Sequence, residues 1–187
     1  MTNTVLSPEA HPLSSANITL TPTLFFHGDG LTAAQFYTTL LPSSTITSPT
    51  TLPSPDASPT TPAPTTIHLT LLTHPFLIIN VPPSDPNTPP PWTPNESFSF
   101  TLTVDTQAEI DQLWDALTAK GGQPSDCCWC KDRWGVSWQV VPRLLVRCMQ
   151  GAEGKAAQKA AMQVMMGWRG GRRPDVRELE RVVGALA

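Results

Sequence analysis

The most regular pattern in the chain runs from Ser97 to Val104, where Phe98, Phe100, Leu102 and Val104 alternate with Ser99, Thr101 and Thr103. A period of two puts one set on each side of a strand and predicts a half-buried β-strand. The period then changes. Ile110, Leu113, Trp114 and Leu117 recur at three- and four-residue spacing, which predicts a helix with one buried face. Thr106-Gln107-Ala108-Glu109 spells a capping box for its start, and Lys120 and Gly121 suit its end. Two strand-type runs follow at 126–131 and 135–141. Between them Asp132-Arg133-Trp134-Gly135 has Asp first and Gly fourth, as a type I turn prefers. Pro142 stops the second run or opens a short helix.

The same order occurs earlier in weaker form. Thr23–His27 reads as a strand, and Leu31–Leu41 as a helix ended by Pro42. Ser44–Ser48 is a further candidate strand, and Thr66–Thr73 and Pro75–Val81 are β-rich runs joined by a tight turn. Beyond residue 142 the chain is helical. Glu153–Met166 carries Ala156, Ala157, Ala160, Ala161, Val164 and Met165 on one stripe. A last helix opens with Pro174 at its first position and shows Val176, Leu179, Val182, Val183 and Leu186 on one face. The expected architecture is α+β: two paired βαβββ modules plus C-terminal helices. Each module is too small to hold a core alone, so the two must pack together. The expected division is a tail at 1–20, a paired domain at 21–150 and a helical extension at 151–187. Within the domain, module one spans 21–81 and module two 97–142.

Composition sharpens this outline. Residues 1–100 hold 18 of the 21 Pro, five acidic residues and no Lys or Arg. All 12 basic residues lie in 101–187, against ten acidic ones, and the whole chain carries −3. That balance argues against a nucleic-acid partner. No apolar run has the length of a bilayer span, which argues against a membrane one. The N-terminus lacks the basic and apolar regions of a secretory signal, so a cytoplasmic location is expected. Residues 49–65 and 82–94 are Pro-rich, the first read as a disordered insertion in a hairpin and the second as a connector.

Two segments imitate known chemistry. Gly28-Asp29-Gly30 with Ala33 spells a nucleotide-binding loop, but no acidic residue follows about twenty positions on, so a plain strand-to-helix turn is expected. Cys127 and Cys130 form CxxC in a predicted strand, with only Cys148 left as a distant partner. Buried or strand-edge thiols are expected there rather than zinc or redox chemistry. Trp129, Trp134 and Trp138 crowd one hairpin, and Trp129 and Trp138 could wall a cavity for an apolar or planar ligand.

The string from Cys128 to Pro142, CWCKDRWGVSWQVVP, resembles the CGWLKDRFGVSWQIVP signature of PhnB-like proteins. That family lies in the vicinal oxygen chelate superfamily, with glyoxalase, bleomycin-resistance and dioxygenase relatives. Leu24-Phe25-Phe26 with Ala33-Ala34-Gln35-Phe36-Tyr37 resembles the start of its first module, and 155–183 its C-terminal helices. The resemblance implies a glyoxalase-type fold, a homodimer, and a small-molecule ligand in the cavity between the modules. Phe26, Phe98, Phe100, Trp129, Trp138 and Gln139 are the candidate lining. Active superfamily members hold one divalent metal between modules, for which His27, His74, Glu96 and Gln139 are the candidate ligands here. A ligand-binding protein without a complete metal site is the leading expectation. A divalent-metal lyase, isomerase or oxygenase is the alternative. Many family members are labelled 3-demethylubiquinone-9 3-methyltransferase, but no S-adenosylmethionine motif is present, and that reading comes last.

Overall fold

The computed structural model describes residues 18–55, 57–58, 62–83, 85 and 92–186. The tail at 1–17 and parts of both Pro-rich segments lie outside the described residues. Nine strands and five helices are found among those described. In the first half these are β1 (Thr23–Phe26), α1 (Gly30–Leu40), β2 (Thr45–Ile46), β3 (Thr50–Thr51), β4 (Thr65–Leu71) and β5 (His74–Asn80). The second half holds β6 (Phe100–Val104), α2 (Gln107–Thr118), β7 (Gln123–Pro124), β8 (Trp129–Lys131) and β9 (Ser137–Pro142). Three helices end the chain: α3 (Arg143–Met149), α4 (Gly154–Gly167) and α5 (Val176–Gly184).

The two sheets repeat one topology. The first has the order β1-β5-β4-β2, with β3 also on β4, and the second β6-β9-β8-β7. In each, the strand before the helix runs parallel to the last strand, and the remaining pairs are antiparallel. This is the repeated strand–helix–strands pattern read from the sequence. One buried cluster joins both halves: Phe26, Ala34, Tyr37, Ile67 and Ile78 pack in it with Leu102, Ile110, Trp114, Trp138 and Val140.

Local signals account for most boundaries. Thr106 and Glu109 form the full capping box of α2, with the Thr106 amide donating to Glu109 at 2.8 Å and the Glu109 amide to Thr106 at 3.2 Å. The Asp132 turn closes with the Gly135 amide donating to the Asp132 carbonyl at 2.9 Å. β4 and β5 meet in a two-residue turn, Leu72-Thr73, with φ of 48° and 73°. That is the left-handed geometry whose twist matches a hairpin.

Three expectations are corrected. The insertion at 49–65 is not wholly without structure, because Thr50–Thr51 pairs with Thr65–Thr66. The strand expected at 126–131 starts only at Trp129, since Cys127 and Cys128 take φ of 53° and 75° and form a corner. Pro174 precedes α5 rather than opening it. Asp175 is the N-cap, accepting from the Arg177 and Glu178 amides at 2.9 and 3.2 Å.

The C-terminal helices make a second cluster, in which Ala157, Ala161, Val164, Leu179 and Val183 pack on Leu145, Cys148 and Trp168. The apolar faces of α4 and α5 thus close largely on each other and on α3. The extension is tied back to the domain. Arg173 pairs with Asp111, at 2.9 Å, and with Asp115 on α2, and the Cys127 amide donates to the Trp168 carbonyl at 2.6 Å.

Candidate functional site

Sheet register decides what each candidate residue faces. In the second sheet Phe100 pairs with Trp138 and Leu102 with Val140, and this face turns to the shared core. Gln139 pairs with Thr101 and Trp129, so its side chain lies on the opposite face. There its amide donates to the Ser99 hydroxyl at 2.8 Å. Phe26 also belongs to the core, whereas Phe98 precedes β6 and is 55% exposed. The six residues expected to line one cavity are therefore divided. Phe26, Phe100 and Trp138 fill the core, Trp129 and Gln139 sit behind the second sheet, and Phe98 is at the surface.

The four candidate metal ligands do not converge either. His27 follows the end of β1 that pairs with Asn80, while His74 is exposed at the other end of β5. At about 3.3 Å per residue that separation is roughly 20 Å. Glu96 is paired with Lys131 at 2.5 Å, and the Lys131 ammonium holds its carboxyl below the usual range. Gln139 is bonded to Ser99. Among the described residues no group of three or more His, Cys, Asp or Glu is placed to hold a metal ion. The four candidates are thus not brought together as one donor set.

The loop that imitates a nucleotide motif is closed from within. The amides of Gly28 and Gly30 both donate to the Asn80 side-chain oxygen at 3.0 Å. A Cβ on Gly30 would sit 2.7 Å from the Asn80 Cβ, so glycine is required by close approach. The donors that would cradle a phosphate are already used, and among the described residues no parallel doubly wound sheet surrounds them. The chain offers no fit for S-adenosylmethionine at this turn. The cysteines are free. Burial pushes Cys128 and Cys130 up to about 12, and Cys130 lies in the core.

Two features were not legible as site chemistry. The first is a buried polar centre at Asp132, which is 2% exposed. One carboxylate oxygen accepts from the Tyr37 hydroxyl at 2.6 Å and the Trp138 indole at 2.9 Å. The other accepts from the Trp134 and Val136 amides at 2.9 and 3.1 Å. Burial pushes the Asp132 carboxyl up, against the pull of these four donors. Burial, and then the Asp132 charge, hold Tyr37 well above its ordinary value. Tyr37 belongs to α1 and the other partners to the β8–β9 hairpin, so this centre bolts one module to the other.

The second feature is a cleft of about 590 Å³ between the modules. Thr39–Pro42 at the end of α1 and Leu72 in the β4–β5 turn form one side. Thr101–Val104 of β6, with Glu109, Gln112 and Leu113 of α2, form the other. β6 is an edge strand, so its unpaired backbone groups border the cleft. None of the candidate ligand-lining or metal-binding residues named from the sequence lines it. No signal marks it, because it forms where the ends of helices and a strand edge meet.

Both the repeated sheet topology and the Cys128–Pro142 hairpin point to one family, and the comparisons agree. The model of the 3-demethylubiquinone-9 3-methyltransferase family matches residues 18–141, well over half of the chain. The chain belongs to this family, the PhnB-like proteins. A PhnB protein from Bacillus cereus is 26% identical, covers 67% of this chain and 99% of its own length, and superposes with a TM-score of 0.52. A protein from Pseudomonas aeruginosa is 24% identical over 67% of this chain and 97% of its own, with a TM-score of 0.47. No curated protein matches. The family match ends at residue 141, so helices α3–α5 lie beyond it.

Proposed function

We propose that the protein binds a small, largely uncharged molecule in the cleft between its modules, without using a metal. The observation that carries this reading is the cleft itself. Its size falls in the usual range for ligand pockets, and its walls mix leucines with threonine hydroxyls, an amide and strand-edge backbone. The one titratable group lining it, Glu109, is committed to the capping box, whose donors keep its carboxyl below the usual range. A carboxylate so engaged is a poor general base. The lining therefore supplies recognition and no nucleophile or proton carrier.

The test is binding of an uncharged apolar dye, Nile red, to the wild type and to Gln112→Trp. Gln112 is exposed on α2 at the cleft wall, so an indole there fills the space without disturbing the core. Saturable one-to-one binding, weakened at least tenfold in the variant, supports the reading. Binding unchanged by Gln112→Trp, or no saturable binding, overturns it.

A further inference from the structure

The corner at Cys127 brings two sulfurs together. Cys127 takes φ of 53°, and its amide donates to the Trp168 carbonyl at 2.6 Å. One residue earlier, the Asp126 carboxylate accepts from the Gly170 amide at 2.7 Å. Trp168 caps the C-terminus of α4, so these two bonds fix the corner against the end of that helix. There the Cys127 Sγ lies 4.0 Å from the Met166 Sδ. Both residues are partly open to solvent, Met166 at 40%. Met162, one turn earlier on α4, is 42% exposed and shares the Met166 face. Met165 instead packs into the helical cluster, and Cys130, the partner of Cys127 by spacing, is buried in the shared core.

We propose that Cys127 and Met166, with Met162 as third donor, bind one soft monovalent cation of the copper(I) or silver(I) type. Thiolate and thioether sulfur select such ions over hard ones. The separation fits a shared ion. With metal–sulfur bonds of about 2.3 Å, sulfurs 4.0 Å apart subtend about 120° at the metal, the angle of trigonal coordination. On binding, the Cys127 thiol releases its proton to solvent and a sulfur–metal bond forms, with no change of oxidation state. The corner holds the thiol in place before the ion arrives, which limits the ordering cost. None of these sulfurs lines the cleft between the modules, so the site is separate from it. Met162 and Met166 also lie beyond the residues that the family model matches.

The experiment titrates silver(I), which is stable in air, into the full chain in chloride-free buffer, with zinc(II) beside it. Calorimetry gives the stoichiometry and affinity, and the methionine ε-methyl resonances report the ligands. One silver ion per chain is expected, bound about a hundredfold or more tighter than zinc. The Met166 and Met162 methyls should shift, and that of Met165 should not. Cys127→Ser should abolish binding. Met166→Leu exchanges a thioether for a hydrocarbon of similar size and should weaken binding about tenfold or more, Met162→Leu by less. Both methionines are at the surface, so neither change threatens the fold. Silver bound as tightly by Cys127→Ser or by Met166→Leu, or a Met166 methyl that does not move, would overturn the proposal.

Discussion

Asp132→Asn tests the claim that one buried carboxylate bolts the modules together. The wild-type carboxylate receives four donors and no acceptor. An asparagine oxygen can keep the Trp134 and Val136 amides. Its NH₂ must then face the Tyr37 hydroxyl and the Trp138 indole. The hydroxyl can rotate to accept, but the indole is donor only and stays unpaired. One orphaned buried donor costs about 1–3 kcal/mol, and exchanging charge-assisted bonds for neutral ones costs roughly another 1. Relief from burying a charge offsets part of this. The expected net loss is about 2–4 kcal/mol, or roughly 5–15 °C in Tm for a chain of this size.

Urea unfolding followed by tryptophan fluorescence measures that loss. Tyr37→Phe, which removes one donor, should cost less, and the double variant should fall short of additivity, since both changes act on one bond. The pH dependence carries a sign. Burial raises the folded-state pKa of Asp132 above its unfolded value. The stability this group contributes is then complete below the unfolded value, near 3.9, and is lost as pH rises through the folded one. The penalty of Asp132→Asn should shrink as pH rises from the acid side. A loss under about 0.5 kcal/mol, full additivity with Tyr37→Phe, or a penalty that grows with pH would refute the argument.

Two other outcomes follow from the same geometry. With Cys128 and Cys130 pushed up to about 12, roughly one thiol in ten thousand at these positions is ionised at pH 8. Cys148 is buried and also raised, so a thiol reagent should modify Cys127 quickly and the other three only on unfolding. Two or more fast equivalents would contradict the buried placements. Protein purified without a metal-binding tag should contain far less than one divalent metal per chain by elemental mass spectrometry. It should also show no thermal shift with nickel, manganese, zinc or iron. Near one metal per chain, lost in Gln139→Ala, would reinstate the metal-enzyme alternative.

What the sequence revealed, and what it hid, divides along a physical line. Helix α2 was legible from its capping box and its period, and the β8–β9 turn from Asp132 and Gly135, because these signals lie within a few residues of the structure they cause. β3 was hidden. Thr50 and Thr51 pair with Thr66 and Thr65, and nothing in a Pro- and Thr-rich stretch marks which threonines pair. The corner at Cys127 and Cys128 was hidden for a related reason. Two non-glycine residues at positive φ have no local preference for it, and the conformation is held from outside. The Cys127 amide reaches the Trp168 carbonyl, some forty residues away.

The site was harder to see than the fold, and the cause lies in what periodicity measures. Alternation along β6 correctly separated Phe100 and Leu102 from Thr101 and Thr103. It does not say which face meets the helix of its own module. In this chain the apolar face turns to the core that both modules share, so the aromatic residues most suggestive of a ligand cavity became core. Phe76, Phe100, Trp138 and Tyr37 stack in sequence there, at ring separations of 5.1, 5.2 and 5.4 Å. The large cleft opens instead at the free edge of β6, where both faces and the backbone contribute. An edge has no period and no composition of its own. It becomes one wall of a cleft only when Leu40–Pro42 and Leu72, sixty or thirty residues earlier, are brought against it. Those contacts exist because the two modules share one apolar core, which Asp132, the residue that reads as a turn signal, also ties together through Tyr37.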